Sequence, residues 1–384
     1  MKIKQLILLL LVLQFLWLNS CVDEYWPEVD KYEDLLVVEG GITNHRGPYM
    51  IRISKSSHLD SSAYTPYTGC VVKILVDDGE EEYLTEISPG IFYTTPNGIQ
   101  GQIGKSYKLN ISTPDDKNYE SSFELLKEPV EIDNVYAEVE YRNNGDYDHQ
   151  LAGYQFYVDT KNSVSDSTYY MWDLLETYHY QSDYFIHWYY TNRLYDFHPI
   201  DSLYNCWRTA SVKEIYTFNS SLLVNDKLER FPLKYVNTED RRLTIKYSLL
   251  VTQYTINKKA FQFWSAIEDQ NSEQGSLYSH QPYQIKGNLR NINNDDEPVL
   301  GFFLVASSHS KRIFVEKIDE PFYYSYCVFN DGWSKAYGDL YLGGPYQKPQ
   351  WVVFVGGARG VAHEGCVDCR TKGGSVYKPV YWED

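Results

Sequence analysis

Basic residues are scarce in this sequence. Its 384 residues include 35 Lys and Arg against 52 Asp and Glu, which gives a formal net charge of −17 at pH 7. Residues 1–20 carry two lysines and no acids, so their removal would leave a net charge of 33 − 52 = −19. A surface this acidic repels phosphate backbones and anionic lipid headgroups, so we expect neither nucleic-acid binding nor electrostatic docking onto a membrane.

Long apolar runs are absent after the first residues of the chain. The run from Leu6 to Leu18 follows Lys2 and Lys4, and it is too short for a membrane-spanning helix. This arrangement is typical of an export signal. We therefore predict a signal peptide over residues 1–20.

The four residues Leu18-Asn19-Ser20-Cys21 resemble the lipobox of bacterial lipoproteins, in which cleavage before the cysteine allows acylation of its thiol. We predict that Cys21 is lipidated and that residues 21–34 form a linker. Val22-Asp23-Glu24 resembles the export tag of surface lipoproteins in the Bacteroidota, which implies an outer-membrane anchor with the protein facing the cell exterior. The alternative is that Cys21 is an ordinary core cysteine behind a simple signal peptide.

Recognisable catalytic motifs are also lacking. Gly332-Trp333-Ser334-Lys335-Ala336 departs from the nucleophile elbow at its last residue, and His363-Glu364 lacks the second histidine of the zinc proteases. With 52 acidic residues present, no carboxylate pair of a glycosidase can be named. We expect a protein that is not an enzyme and has no cofactor. A hydrolase with an unrecognised site is an alternative.

Patterns of metal-ligating residues are weak. The run from Asn293 to Glu297 lacks the glycine and the spaced carboxylates of a calcium loop, so it favours a polar turn. His179, Asp183 and His187 would share one face of a helix, but the aromatic alternation around them favours a strand. On a strand the two histidines would lie roughly 26 Å apart, at about 3.3 Å per residue. The sequence predicts no metal site.

Cysteine is rare, and five of the six residues remain once Cys21 is set aside. Cys70 alternates with the apolar residues Val72, Ile74 and Val76, so we predict a buried free thiol. An exported chain folds in oxidising surroundings, where the other four are disulfide candidates: Cys206, Cys327, Cys366 and Cys369. These four can pair in three ways. A zinc site built from their thiolates is the alternative.

Alternation of polar and apolar residues with period two is abundant. From Leu35 to Phe123 it is interrupted by turn residues at short intervals, as in Asp78-Gly79. About seven short strands in this span predict an immunoglobulin-like β-sandwich over residues 35–128. Pro129 marks the expected boundary of this domain.

Residues 129–384 are predicted to form a larger β-rich domain that contains one packed helix near residues 257–274. Asn257 is a suitable N-cap, and four apolar residues follow at helical spacing: Ala260, Phe263, Trp264 and Ile267. Gly275 is placed to end the helix. The fold class is therefore mainly β.

Aromatic residues are concentrated between Tyr169 and Phe197, where 12 of 29 residues are Phe, Trp or Tyr. Such side chains provide stiff, amphipathic contact area for ligands. The ligand-binding candidates in this segment are Trp172, Tyr180, Tyr184, Trp188 and Tyr190. The alternative is a tyrosine-rich β core.

Three segments of the chain carry a resemblance to a known family. They are CWR at residues 206–208, VTQYTINKKAFQFWSAIEDQNSEQGSLYSHQPYQIKGNLRNINNDDEPVLGFF at residues 251–303, and CVDCRTKGGSVYKPVYW at residues 366–382. Together they resemble the Bacteroidota outer-membrane lipoproteins of domain-of-unknown-function family 4249.

This resemblance implies an immunoglobulin-like amino-terminal region, a β-rich remainder and genes that neighbour those of TonB-dependent receptors. It implies no established reaction. We therefore expect an accessory protein that docks onto a TonB-dependent receptor or captures a small molecule, a glycan or a peptide. An adhesin or structural surface protein is the alternative from a different functional class.

Overall fold

The computed structural model describes residues 34–56, 64–161, 168–191, 193–222, 227–273, 284–329 and 350–383. Cys21, the predicted signal peptide and residues 21–33 of the predicted linker lie outside these ranges, as do Gly275 and the segment Gly332–Ala336.

The described residues of the amino-terminal third of the chain form ten strands. Their alternating burial follows the period-two pattern of the sequence: Tyr49, Ile51 and Ile53 are at most 7% exposed. The strands are β1 (Leu36–Thr43), β2 (Met50–Lys55), β3 (Thr65–Pro66), β4 (Val71–Val76), β5 (Glu81–Tyr83), β6 (Thr85–Ser88), β7 (Ile91–Tyr93), β8 (Ser106–Ser112), β9 (Asn118–Ser121) and β10 (Glu124–Leu125).

The remainder of the described chain is also mainly β. Its strands are β11 (Ile132–Asn143), β12 (Gln150–Thr160), β13 (Tyr169–Gln181), β14 (Trp188–Tyr190), β15 (Leu194–Asp196), β16 (Asn205–Ser211), β17 (Tyr216–Asn219), β18 (Phe231–Asn237), β19 (Lys246–Ile256), β20 (Leu289–Asn291), β21 (Leu300–Glu316), β22 (Gln350–Val355) and β23 (Ala358–Ala362). The mainly β class predicted from the sequence is therefore confirmed.

One long helix, α1 (Lys258–Glu273), packs against this β-structure. The predicted N-cap is confirmed, because the backbone N–H of Ala260 donates to Oδ1 of Asn257 at 2.8 Å. Ala260 and Phe263 are buried beside Phe302. Short helices cover Ser220–Leu222, Glu364–Val367 and Cys369–Lys372. Within the described residues, no helix is both long enough and apolar enough to cross a membrane.

A ten-stranded sheet runs through the molecule in the order β16-β13-β19-β21-β1-β2-β7-β6, with β17 and β3 paired at its sides. Strand β1 pairs in parallel with β21, from Val37 opposite Leu300 to Thr43 opposite Ala306. Strand pairing therefore crosses the boundary predicted at Pro129, because β1 and β21 belong to opposite sides of it.

A second sheet, in the order β20-β9-β8-β4-β5 with β10 paired to β8, shares a core with one half of the first sheet. Val38 of β1 and Phe303 of β21 belong to the same buried cluster as Ile74 of β4 and Leu109 of β8. Two strands from the later part of the chain, β20 and β21, thus help to complete the amino-terminal β-structure. Cys70, just before β4, is a buried free cysteine.

A three-stranded sheet, β11-β12-β18, covers the other half of the large sheet. The ring of Phe156 in β12 lies 5.5 Å from that of Tyr247 in β19, and the two belong to one buried cluster. A four-stranded sheet, β15-β14-β22-β23, completes the described structure. One face of it packs on Ile186 and Cys366 through Val353.

Candidate functional site

The aromatic segment does not form the continuous strand that its alternation predicted. Strand β13 ends at Gln181 and β14 begins at Trp188. Between them, the N–H of Ser182 donates to the carbonyl of Tyr204, and the N–H groups of Asp183 and Tyr184 both donate to the carbonyl of Cys366. Backbone partners from distant parts of the chain therefore end the strand where the local pattern would continue it.

Two of the five predicted ligand-binding residues lie in the core. Trp172 is 0% exposed, and its indole N–H donates to Oε1 of Gln253 at 3.0 Å. Tyr180 is 2% exposed, and its hydroxyl donates to the carbonyl of Cys369 at 2.5 Å. These two side chains support the tyrosine-rich core interpretation, since they present almost no surface to a ligand.

The other three candidates are half-buried and lie in two places. Trp188 and Tyr190 pack over Val352 on one face of the four-stranded sheet. The guanidinium of Arg359 lies 4.2 Å from the ring centroid of Trp188. Tyr184 lies apart from them, in a cleft whose other residues sequence analysis did not identify.

We call this cleft the aromatic cleft. It has a cavity volume of about 310 Å³ and is lined by side chains from segments far apart in the sequence. Its aromatic residues are Tyr184, Tyr204, Phe322, Tyr324 and Tyr326, and its polar residues include Gln181, Asp183, Arg241 and Lys317. The volume lies at the lower end of the range for small-molecule sites in proteins, about 300–1,000 Å³.

A buried ion pair lies at one side of the aromatic cleft. The side chain of Asp183 is 4% exposed, and its Oδ1 accepts from Nη2 of Arg241 at 2.6 Å. Its Oδ2 lies 3.5 Å from Nζ of Lys372, which is too long for a strong hydrogen bond, and has no hydrogen-bond partner among the described residues. This oxygen is buried, and Lys372 is its ion-pair partner.

Arg241 links the ion pair to the aromatic wall. Its guanidinium lies 4.2 Å from the ring centroid of Tyr324, and its Nη1 donates to the carbonyl of Gln181 at 3.1 Å. A guanidinium that stacks on a ring and also pairs with a carboxylate has little freedom to move. Asp183, Arg241 and Tyr324 therefore form one preorganised group.

Burial shifts several pKa values in and beside the aromatic cleft. It raises the pKa of Tyr324 to about 12, with a further contribution from the hydrogen bond to Tyr326. Burial likewise raises the pKa of Tyr204. Burial and the nearby charge of Arg241 lower the pKa of Lys372. Tyr204 and Tyr324 are thus neutral hydroxyl groups at neutral pH, able both to donate and to accept hydrogen bonds.

Disulfides connect the tail cysteines to the walls of the cleft. The bonds are Cys206–Cys369 and Cys327–Cys366, so each cysteine of the C-x-x-C motif pairs with a distant partner. The hydroxyl of Tyr184 donates to the carbonyl of Cys327 at 2.5 Å. All four sulfurs are in disulfides, which leaves no thiolate for the zinc site considered as an alternative.

Metal ligation has no geometric support in the described ranges of the chain, where no group of three or more His, Cys, Asp or Glu side chains converges. His179 stacks on Trp207 with 4.7 Å between ring centroids, whereas Asp183 pairs with Arg241. His187 lies in another environment, 5.4 Å from the ring of Trp188. The three residues that fit one helical face in the sequence are thus separate in the fold.

Sequence analysis missed most of the aromatic cleft. The run Phe322-Tyr323-Tyr324-Ser325-Tyr326 directly precedes Cys327 and is a second local concentration of aromatic residues. Its position next to the disulfide candidate Cys327 is the feature of the sequence that could have identified it as part of a site. Arg241 had no such signal, because its pairing with Asp183 depends on the tertiary fold.

The fold and the cleft define a mainly β protein with two disulfides. Its residues 22–312 match the family described as "Domain of unknown function (DUF4249)". The chain belongs to this family. No curated protein matches the sequence.

One solved structure, described as "Biofilm associated protein - BSP domain", is similar to this chain at 7% sequence identity with a TM-score of 0.16. The alignment covers 76% of this chain, which spans 62% of the length of that structure. A similarity at this level carries no argument about function.

Proposed function

We propose that this chain is a surface-exposed outer-membrane lipoprotein that binds a ligand without catalysis, as an accessory partner of a TonB-dependent receptor. The observation that carries the binding part of this proposal is the aromatic cleft. It combines five aromatic side chains with the preorganised ion pair of Asp183 and Arg241.

The chemistry of the cleft favours a ligand with a flat or apolar face and at least one hydrogen-bonding group. Aromatic rings stack on such faces, and the tyrosine side chains that line the cleft carry hydroxyl groups that donate and accept hydrogen bonds. Sugars and short peptides both have these features. The ligand classes remain those expected from the sequence: a small molecule, a glycan or a peptide.

The proposed location at the outer membrane and the proposed receptor partner are supported by other observations. Two disulfides are typical of proteins that fold outside the reducing cytosol, which supports export. The lipid anchor on Cys21 rests on the lipobox-like residues, and the receptor rests on the family resemblance.

We also propose an immunoglobulin-like arrangement for the amino-terminal strands. The support is that the sheets containing β1–β2–β7 and β9–β8–β4 share one core. An experimental structure of the mature chain tests this finer assignment, because a different strand order between the two sheets would contradict it.

Ligand binding is tested by isothermal titration of the mature chain with panels of oligosaccharides and short peptides. Tyr326 lines the aromatic cleft and is 66% exposed, so Tyr326→Ala should leave folding intact. We expect it to weaken binding of any hit by about fivefold, since one aromatic contact is worth about 1 kcal/mol.

The matched control is Tyr377→Ala, because Tyr377 is 82% exposed and does not line the cleft. It should bind as the wild type does. If no ligand binds, or if both variants weaken binding equally, the cleft is not the site. Thermal melting of both variants verifies that neither change acts through stability.

A further inference from the structure

A larger cavity, with a volume of about 640 Å³, lies on a different part of the molecule. Strands β8 and β9 form one wall, the first turns of α1 form another, and β20 with the residues just before it forms the third. It shares no lining residue with the aromatic cleft. Binding of a ligand at one cavity therefore requires no residue of the other cavity.

The charged side chains around this cavity are mostly basic, although the whole chain is acidic. They are Lys108, Lys259, Lys286 and Arg290 against Glu120. Glu124 and Asp295 pair with Lys259 and Arg290 from beside the cavity, so the local balance is 4 − 3 = +1. The whole chain has a formal charge of −17. We call this cavity the cationic cleft.

The local acids offset most of this charge. Glu120 is shared, because it pairs with Lys108 on one side and with Arg290 at 2.8 Å on the other. Arg290 also lies 3.6 Å from Asp295, and Lys259 lies 3.5 Å from Glu124. Lys286 is exposed and pairs with none of these three acids. The charge left over at the cavity is therefore that of about one lysine.

The start of α1 adds to this positive potential. Its first turn contains Lys259, which lines the cavity, and no acidic residue. Lysines at this end of a helix oppose the helix dipole, whose amino-terminal end is itself positive. An anion bound between Lys259 and Lys286 would offset this unfavourable interaction.

The lining of the cationic cleft also contains aromatic rings. Phe263 and Phe302 form its floor, with 5.0 Å between their ring centroids, but are only 7% and 4% exposed. Phe123, at the rim, is 47% exposed and lies 5.7 Å from Nζ of Lys108. An isolated inorganic ion would leave most of the cavity volume and the exposed ring of Phe123 unused.

We propose that the cationic cleft is a second binding site, for an organic anion with a flat or apolar body. The anionic part pairs with Lys286 and Lys259, which line the same cavity, and the body of the ligand covers Phe123 at the rim. This inference goes beyond the proposed function, which concerns the aromatic cleft.

The probe is the fluorescent trisulfonate 8-hydroxypyrene-1,3,6-trisulfonate, titrated with the full mature chain and followed by fluorescence anisotropy. We expect saturable binding that weakens as salt is raised, because exposed charge pairs are screened. Benzene-1,3,5-tricarboxylate should displace the probe, whereas inorganic sulfate at the same ionic strength should not. Displacement by both anions equally would indicate a simple ion site and overturn the proposal.

The decisive variants are Lys286→Gln and its matched control Lys258→Gln. Both remove one exposed lysine, but only Lys286 lines the cationic cleft. We expect Lys286→Gln to weaken probe binding by about fivefold or more, since a charge-assisted contact is lost. Lys258→Gln should stay within about twofold of the wild type. Equal effects of the two variants, or no saturable binding by the wild type, would overturn the proposal.

Discussion

At the scale of single residues, the pair Asp183–Arg241 joins two loops that are 58 residues apart. The carboxylate is 4% exposed and the guanidinium 15% exposed, so water screens their attraction weakly. Loss of Arg241 leaves the buried charge of Asp183 with only the more distant ammonium of Lys372, 3.5 Å away, as compensation. This penalty is larger than the net contribution of the intact pair.

We predict that Arg241→Met lowers the free energy of unfolding by roughly 3 kcal/mol. The double variant Arg241→Met/Asp183→Leu should recover part of this loss, because it removes both buried charges. Urea denaturation of the three proteins measures the effect. A double variant that is less stable than Arg241→Met would contradict this account of the pair.

Glu297 is a second residue whose charged form is stabilised by its surroundings. Its carboxylate accepts from the hydroxyl of Tyr119 at 2.7 Å, from Lys117 at 3.1 Å and from Asn291 at 2.8 Å. Burial by itself would raise the pKa of Glu297, but these hydrogen bonds together lower it below the ordinary value of 4.5. The folded state therefore favours the charged form.

A lowered carboxyl pKa gives stability that is fully present above pH 4.5 and is lost as the pH falls through the folded-state pKa. We predict that Glu297→Gln reduces the free energy of unfolding at pH 7 and flattens its fall below pH 4.5. Denaturant titrations between pH 3 and pH 7 measure both. If the free energy of unfolding falls as steeply below pH 4.5 in the variant as in the wild type, Glu297 does not contribute to the pH dependence of stability.

The burial of a side chain was predictable from the sequence where it depends only on the alternation of apolar and polar residues along one strand, as at Tyr49, Ile51 and Ile53. It was not predictable for aromatic residues whose burial depends on a second layer. Trp172 is buried because Phe231 of β18 stacks on it with 4.6 Å between ring centroids. Nothing near Trp172 in the sequence distinguishes it from Tyr184, whose ring lines a cleft.

At the scale of elements, the parallel pairing of β1 with β21 joins the two parts of the chain. Gly301 sits opposite Val38 at a φ of +79°, and a Cβ there would lie 2.0 Å from the carbonyl oxygen of Val38. Only glycine fits this close approach without displacing the backbone.

We predict that Gly301→Ala lowers the free energy of unfolding by more than about 2 kcal/mol, because it adds a backbone clash to an unfavourable φ. Gly79→Ala is the matched control. Gly79 also has a positive φ, +95°, but nothing lies within 4 Å of its added Cβ. This control should lose about 1 kcal/mol, the cost of the left-handed conformation alone. Equal losses in the two variants would contradict a specific role for the β1–β21 contact.

Local elements were predictable because their signals are local. Asn257 and the apolar spacing after it gave the start of α1, and Asp78-Gly79 gave the turn between β4 and β5. The parallel pairing of β1 with β21 and the end of β13 at Gln181 were not predictable. Each is determined by hydrogen bonds to a segment far along the chain, such as those to the carbonyl of Cys366.

At the scale of the whole molecule, the two disulfides tie the tail to distant strands. Their cysteines are 163 and 39 residues apart in the sequence. In the chain-entropy model these separations correspond to about 5 and about 4 kcal/mol of stabilisation. The longer loop is expected to contribute more.

We predict that Cys206→Ser/Cys369→Ser destabilises the mature chain more than Cys327→Ser/Cys366→Ser does. The second pair should also weaken ligand binding in the aromatic cleft, because Tyr184 is anchored to the backbone of both Cys327 and Cys366. Guanidinium denaturation and titration with the ligand measure the two effects. If the Cys327→Ser/Cys366→Ser variant is less stable but binds the ligand normally, the disulfide does not hold the aromatic cleft in its binding conformation.

The central claim is that an exported, lipid-anchored chain presents a disulfide-fixed cleft beside an uptake receptor. Its most direct test is mass spectrometry of the full-length protein purified in mild detergent from the membranes of its own cells. The account predicts an acylated Cys21 at the mature amino terminus, the pairs Cys206–Cys369 and Cys327–Cys366, and a co-purifying TonB-dependent receptor. An unprocessed chain with free tail thiols and no associated receptor would contradict it.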